Sequence, residues 1–143
     1  MSEGLLLAHF AATWYLAGLC WLVQRVQYPL LARVGRDAFA AYEQAHVARI
    51  GPVVGPMMVF EAATALSLVG LEASLLRRPD FLAALVLLGI LWLSTFAVQV
   101  PLHRRLAQGF DADAHTALVR SNWIRTLAWS GRGLLLLHLL LAG

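Results

Sequence analysis

Residues 81–102 read FLAALVLLGILWLSTFAVQVPL, a predominantly apolar stretch without one charged side chain. About 20 such residues are what an α-helix needs to cross the hydrocarbon core of a bilayer. Three further stretches are similar in length and character, at about 5–26, 52–76 and 123–141. The sequence therefore predicts an all-α integral membrane protein, with a single four-helix membrane domain over residues 1–143.

The composition of the whole chain supports this prediction. Hydrophobic residues make up 60% and charged residues 13% of the 143 residues, against about 45–50% and about 25% in soluble domains. A soluble protein of this size could not bury so much apolar surface. The net charge of +3 is modest and the arginines lie beside apolar stretches, so nucleic-acid binding has little support. A single cysteine, Cys20, provides neither a disulfide framework nor a cysteine metal motif.

The connections between the predicted spans differ in length. Two long ones, at about 33–49 and 106–122, are amphipathic, with residues recurring at helical spacing, which predicts helix running into the following span. These residues are Phe39, Tyr42, His46 and Ile50 in the first and His115, Leu118, Asn122 and Arg125 in the second. The short connection between the second and third spans, Arg77-Arg78-Pro79-Asp80, is predicted to be a tight turn in which Pro79 stops one helix and Asp80 caps the next. An up-down-up-down four-helix bundle is the simplest architecture with these connections.

The distribution of arginine predicts the orientation in the membrane. The side with the long connections carries Arg25, Arg33, Arg36, Arg49, Arg104, Arg105, Arg120 and Arg125, whereas the other side has Arg77 and Arg78. Because loops rich in arginine stay in the cytoplasm, we expect the two long connections, which carry most of the arginines, to be cytoplasmic and both termini to lie outside. The expected location is the inner (plasma) membrane, as a multi-pass protein.

Two charged residues fall inside predicted spans at matching depth. Glu61 lies nine residues after Pro52 in the second span, and Arg132 lies nine residues after Trp123 in the fourth. Both spans start from the same side, and nine helical residues rise about 13–14 Å. Charged groups within a membrane find partners in the protein interior, so Glu61 and Arg132 are predicted to pair. The pair could serve a site, or it could only hold two helices in register.

Polar residues recur along one face of every predicted helix. The fourth carries two interleaved rows, His115, Asn122 and Trp129 beside Leu118, Arg125 and Arg132, and the third carries Trp92, Thr95, Gln99 and His103. The second carries Tyr42, His46 and Arg49, and the first ends with Gln24, Gln27 and Tyr28. Since lipid-facing surfaces are apolar, these rows are predicted to line one inner cavity.

This convergence gives a set of candidate site residues. The predicted catalytic residues are His46, His103, Asn122 and Arg125; the predicted substrate-binding residues are Gln24, Tyr28, Tyr42, Arg49, Glu61, Gln99, Trp129 and Arg132. Each has a structural explanation when taken alone, as an interhelical hydrogen bond or an interfacial aromatic residue. Together they suit a ligand with an apolar body and a few oxygen atoms, such as a quinone, a phenol or a lipid headgroup.

Two segments resemble a known family. Residues 95–103, TFAVQVPLH, and 121–126, SNWIRT, resemble the small membrane proteins of unknown function that include the anthrone oxygenases of fungal polyketide pathways. That family has a Thr-rich span ending in a Pro-Leu-Asn-like element, then an Asn-x-x-Arg element that opens the last span. Asn122 and Arg125 match the second element, whereas His103 replaces the common Asn of the first. The resemblance implies a four-helix membrane bundle and the oxygenation of an electron-rich aromatic compound to a quinone.

Three hypotheses of function remain open. In the first, an enzyme acts on a membrane-dissolved aromatic or quinone-like compound: His46 or His103 is the general base, Arg125 and Asn122 hold a phenolate oxygen, and Glu61 and Arg132 form the cavity floor. It needs no metal, because an electron-rich phenolate can react with oxygen directly. The residues identify no cofactor and no oligomeric state.

The second hypothesis is a haem or metal protein. His46, His103 and His115 could hold a transition metal together with Glu43, or His9 and His138 could face each other as axial haem ligands. The third hypothesis is a non-catalytic subunit that binds lipid or assists assembly. Four short spans would leave only a narrow pore, and the chain lacks the discontinuous-helix repeats of transporters.

Overall fold

The computed structural model describes residues 3–142, which fold into four long helices. These are α1 (Glu3–Leu31), α2 (Arg36–Leu71), α3 (Pro79–Leu106) and α4 (Ala112–Ala142). A 3₁₀-helix, Ala73–Arg77, lies between α2 and α3. Residues 3–142 contain no β-strand. The predicted all-helical class is therefore confirmed.

Three of these helices, α1, α2 and α3, are long and apolar enough to cross a membrane. Large apolar side chains point outward from them, for example Leu66, which is 71% exposed, and Leu93, which is 69% exposed. An extensive apolar exterior is unfavourable in water and favourable against lipid tails. The fold is that of a membrane protein.

α1 and α3 each contain one π-helical turn, and a proline follows both turns. The turns are Val23–Gln27, where the Tyr28 N–H bonds to the Val23 carbonyl, and Thr95–Gln99, where the Val100 N–H bonds to the Thr95 carbonyl. Pro29 and Pro101 have no N–H to donate, and the wider turn lets the helix continue past each ring. The same pattern, Val-Gln-x-Pro-Leu, stands at 26–30 and 98–102, a short repeat that the apolar stretches alone do not reveal.

The two long connections form the first turns of α2 and α4, as predicted. α2 starts at Arg36 and α4 at Ala112. Asp111 caps α4, because its Oδ1 accepts a hydrogen bond of 2.9 Å from the backbone N–H of Ala114. That bond favours the ionised carboxylate and so lowers the pKa of Asp111 from its ordinary value, with a further contribution from Arg105.

The connection between α2 and α3 differs from the predicted tight turn. α2 ends at Leu71 instead of near residue 76, and the 3₁₀-helix follows it. Pro79 does not stop a helix: it begins α3, where a missing N–H costs nothing. Asp80 is therefore inside the first turn of α3 and not its N-cap, although its Oδ1 accepts a hydrogen bond of 2.9 Å from the Phe81 N–H.

The packing of the helices leaves space between α2 and α3. α4 packs against α1 and α3, and α1 packs against α2. α2 and α3 meet near one end, where the Gln44 side-chain amide donates a 3.0 Å hydrogen bond to the Ala107 carbonyl. Beside this contact lies a core cluster that includes Phe39, Leu106 and Leu118.

Candidate functional site

A cavity of about 640 Å³ lies between α2 and α3. Its α2 wall is small and apolar, with Val47, Ala48, Gly51, Val54, Gly55 and Met58, whereas α3 contributes the polar row Thr95, Gln99 and His103. α1 and α4 close the cavity with Leu16, Cys20, Val23, Tyr28, Arg125 and Trp129, among others. The volume is within the range of about 300–1,000 Å³ that small-molecule sites have.

His103 has a hydrogen-bond partner on each ring nitrogen. Its Nδ1 is 2.5 Å from Oε1 of Glu43, and its Nε2 is 2.9 Å from the hydroxyl oxygen of Tyr28. Glu43 is completely buried and Tyr28 is 2% exposed. A carboxylate, an imidazole and a phenol thus form one hydrogen-bonded chain from α2 through α3 to α1, and its last two members line the cavity.

Glu43 is a site residue for which the sequence predicted no role other than that of a possible metal ligand. The predicted inner face of this segment contained Phe39 and Tyr42, but the structure buries Phe39 and Glu43 and leaves Tyr42 43% exposed. Residues four apart share a helix face, so the position of Glu43 four residues after Phe39 was the available signal.

His46 lies beside His103 on the cavity wall, as the sequence predicted. The two ring centroids are 5.7 Å apart. The Nδ1 of His46 is 3.5 Å from the side-chain nitrogen of Gln27. The structure therefore brings the two predicted catalytic histidines together, with different partners.

Arg125 reaches the cavity from α4, and its guanidinium is held on two sides. Its Nη1 donates to Oδ1 of Asn122 at 3.3 Å, and its Cζ is 5.2 Å from the centroid of the Trp129 ring. Asn122 in turn donates a 2.9 Å hydrogen bond to Oε1 of Gln24. Neither Asn122 nor Gln24 lines the cavity. Both side chains therefore stand behind Arg125, and the catalytic role predicted for Asn122 and the substrate-binding role predicted for Gln24 stay predictions.

Three polar atoms at the cavity are buried without a hydrogen-bond partner among residues 3–142. They are Oγ1 of Thr95, Oε1 of Gln99 and Nε of Arg125. Gln99 is 1% exposed and Arg125 is 8% exposed. The other end of the Gln99 amide donates a 2.8 Å hydrogen bond to the hydroxyl of Ser121, which fixes its orientation. Unpartnered buried polar atoms are costly, so Thr95, Gln99 and Arg125 are the side chains at the cavity that are candidates for contact with polar atoms of a ligand.

Glu61 and Arg132 form the predicted buried pair. Nη2 of Arg132 is 3.1 Å from Oε1 of Glu61, and both side chains are completely buried. Glu61 also accepts hydrogen bonds from the Thr13 hydroxyl at 2.7 Å and the Trp129 indole at 3.1 Å, while Arg132 donates to the Ala84 carbonyl. Neither charged residue lines the cavity. Glu61 accepts its hydrogen bond from Trp129, which does line the cavity. The pair was predicted to form the cavity floor, and the structure places it behind that wall.

Tyr42 and Arg49, both predicted to bind substrate, lie outside the main cavity. They line a smaller groove of about 390 Å³, which His46 also borders. The Tyr42 hydroxyl accepts a 3.1 Å hydrogen bond from Gln27, and Arg49 donates to the Ala45 carbonyl of its own helix at 3.2 Å. Both side chains point to the outer surface of α2, one helical position away from the buried face.

The remaining histidines have separate partners. Nε2 of His115 is 2.8 Å from the backbone carbonyl of Tyr28. His9 contacts Thr64 at 2.8 Å and Arg132 at 3.2 Å, whereas His138 contacts Asp80 at 3.1 Å. Within residues 3–142, no group of three or more His, Cys, Asp or Glu side chains is arranged to hold a metal ion. The structure thus gives no support to the ligand set of His46, His103, His115 and Glu43.

No family model, curated protein or solved structure matches the chain. Its function is therefore inferred from the cavity and the residues around it.

Proposed function

We propose that this protein is a membrane-embedded enzyme, of the oxygenase or oxidoreductase type, that acts on a hydrophobic aromatic or quinone-like molecule in the cavity between α2 and α3. The observation that carries the proposal is the Glu43–His103–Tyr28 chain, which reaches the cavity wall. An acid–base site needs a proton acceptor and room for a ligand next to it, and both occur here.

The apolar α2 wall favours a ligand with a flat or bulky apolar body. Ala48, Gly51 and Gly55 leave part of that wall without bulky side chains, and Val47, Ile50, Val54 and Met58 make the rest of it apolar on either side of them. Opposite them stand the unpartnered atoms of Thr95 and Gln99. A lipid-soluble aromatic compound with oxygen atoms along one edge would satisfy both walls.

The polar end of the cavity supports acid–base chemistry. His103, oriented by Glu43, is the proposed general base, because a carboxylate on one ring nitrogen fixes the tautomer and leaves the other nitrogen as the acceptor. Arg125 is the proposed partner of the phenolate or enolate oxygen, since its guanidinium stays charged and its Nε is unpartnered. Asn122 and Gln24 keep that guanidinium in place.

The resemblance of residues 95–103 and 121–126 to the anthrone oxygenase family supports a particular reaction. Removal of a proton from a hydroxylated anthrone gives an anion that reacts with molecular oxygen at the central carbon. The resulting peroxide takes the proton back and loses water, so that CH₂ and O₂ become C=O and H₂O. The side chains at the cavity can supply the proton transfer and hold the anion.

We further infer that α4 is the fourth membrane span. Its 31 residues are long enough to cross, and two of its four charged side chains, Arg125 and Arg132, are buried inside the protein. With four spans, the arginine distribution places the turns at 32–35 and 107–111 in the cytoplasm and both termini outside the inner membrane. The ligand would then enter from the lipid phase.

The test is oxygen-dependent turnover of 1,8-dihydroxyanthrone by the protein in lipid nanodiscs, measured as anthraquinone absorbance and oxygen uptake above protein-free autoxidation. His103→Gln is expected to lower the rate by a factor of about 10²–10⁴, the usual contribution of a general base. Arg49→Gln, outside the main cavity, is the matched control and should leave the rate unchanged.

The outcomes separate the competing functions. Equal rates for the wild type, His103→Gln and the protein-free reaction would refute the enzyme. Stoichiometric binding of the anthrone without turnover would instead identify a non-catalytic binding subunit. Circular dichroism and thermal unfolding of each variant would show whether the fold is intact.

A further inference from the structure

The hydrogen bonds of His103 restrict how it can exchange a proton with a ligand. Glu43 occupies Nδ1 and the Tyr28 hydroxyl occupies Nε2. An imidazole ring has only these two nitrogens. A ligand in the cavity therefore meets a His103 whose two ring nitrogens are both engaged, next to Tyr28, which lines the same cavity.

The donors and acceptors along this chain have one consistent arrangement. An ionised carboxylate can only accept hydrogen bonds, so Nδ1 of His103 carries the hydrogen that points to Glu43. Nε2 is then the acceptor, and the Tyr28 hydroxyl donates to it across 2.9 Å. This leaves the lone pairs of the Tyr28 oxygen free for a hydrogen bond from a ligand in the cavity that Tyr28 lines.

We propose that Tyr28 is the residue that takes the proton from the ligand, and that His103 and Glu43 act through it. In this step the ligand O–H bond breaks and its proton bonds to the Tyr28 oxygen. At the same time the original Tyr28 proton moves to Nε2 of His103. The products are a ligand oxyanion, a neutral Tyr28 and an imidazolium that the Glu43 carboxylate stabilises. This inference rests on the proposed function.

Arg125 strengthens the case for Tyr28. Arg125 lines the same cavity as Tyr28, and its Nε has no hydrogen-bond partner within residues 3–142. A positive charge at the wall of this cavity favours the ligand anion that the transfer produces. His46 has no comparable arrangement, since its Nδ1 faces the amide of Gln27.

The experiment uses 2-hydroxyanthraquinone, whose visible absorption moves to longer wavelength when its phenol ionises. It is bound to the protein in nanodiscs and titrated with pH, which gives affinity and ionisation from one sample. The probe bound to the wild type is expected to ionise at a lower pH than the same probe free in solution. Tyr28→Phe, which removes only the hydroxyl, should bind the probe with an affinity within about threefold of the wild type. The probe bound to this variant should ionise at a pH at least about one unit higher, which is a tenfold loss of ionisation.

Two further variants make the result decisive. Glu43→Gln leaves the cavity wall intact and should raise the ionisation pH in the same direction as Tyr28→Phe, so an unshifted Glu43→Gln would refute the proposal even if Tyr28→Phe does not fold. Tyr42→Phe is the matched control, because Tyr42 lies outside the main cavity, and should behave like the wild type.

The possible failures are distinct. If the wild type does not bind the probe, the proposed function fails. If the wild type binds and ionises the probe while Tyr28→Phe and Glu43→Gln both ionise it at the wild-type pH, the function stands and the role of Tyr28 is refuted. If Glu43→Gln shifts the pH and a folded Tyr28→Phe does not, His103 receives the proton directly.

Discussion

Replacing Glu61 by Gln should be among the most destabilising single substitutions in this chain. Glu61 accepts hydrogen bonds from Thr13 at 2.7 Å, Trp129 at 3.1 Å and Arg132 Nε at 3.2 Å. Glutamine keeps the shape but removes the negative charge, which leaves a completely buried guanidinium with no counter-ion. Breaking one side of a buried ion pair costs about 3–5 kcal/mol, and we expect that loss in the free energy of unfolding.

The double variant decides whether the loss comes from the pair. Arg132→Gln alone should cost a similar amount, because it leaves Glu61 charged and buried. In the double variant Glu61→Gln/Arg132→Gln both charges are gone, so the loss should fall short of the sum of the single losses by about 0.5–3 kcal/mol. The free energies would be measured by denaturant unfolding in detergent micelles, followed by circular dichroism.

Additivity would refute the reasoning. If the double variant loses the sum of the single losses to within about 0.3–0.5 kcal/mol, Glu61 and Arg132 act independently despite their 3.1 Å contact. The comparison pair is Arg105 and Asp111, which is also in contact but has Arg105 side chain 59% exposed. Solvent screens such pairs, so the same cycle there should show a much weaker coupling.

Three other substitutions test the cavity, the packing and the helix cap. A Cβ at Gly55 would meet no atom within 4 Å, and Gly55 lines the cavity. Gly55→Leu should therefore abolish probe binding in a fluorescence titration while leaving the unfolding midpoint close to that of Gly70→Leu, a control outside the cavity. A Cβ at Gly133 would lie 2.6 Å from the Trp14 ring, so Gly133→Ala should cost about 1–3 kcal/mol of stability by overpacking; an unchanged unfolding curve would contradict this packing. The pKa of Asp111 is lowered in the folded protein from its ordinary value of 3.8, so the stabilisation by its carboxylate is present above that value and disappears as the pH falls through the lowered pKa. Asp111→Asn should therefore lose less stability than the wild type when the pH is lowered, as measured by unfolding at several pH values. An identical pH profile for the two proteins would disprove the role of the Asp111 charge.

Helix class and the Glu61–Arg132 pair could be predicted from the sequence because they depend on long-range regularities. An apolar stretch of membrane length must satisfy its own backbone hydrogen bonds in lipid and therefore forms a helix, and a buried charge needs a counter-charge at its own depth. Both arguments tolerate an error of one residue in position. The same tolerance explains why the end of α2 near Leu71 was misplaced, since the 3₁₀-helix that follows is almost as apolar as the span.

The inner face of α2 could not be predicted at the same level. Tyr42 and Glu43 are adjacent, so a rotation of α2 by one residue exchanges which of them is buried. An aromatic residue is the usual choice for burial, yet the structure buries the carboxylate because His103 on α3 is within hydrogen-bond distance. The contact joins residues 60 positions apart, and periodicity within one helix contains no information about it.

The π-helical turn at Thr95–Gln99 determines which face of α3 carries His103. Such a turn contains one residue more than the α-helical turn it replaces, and each residue rotates an α-helix by about 100°. If the same residues formed an unbroken α-helix, everything after the turn would be rotated by that amount. Leu102 would then face Glu43 in place of His103. The wider turn is therefore what aligns His103 with Glu43, so the backbone conformation of this turn belongs to the site as much as the side chains do.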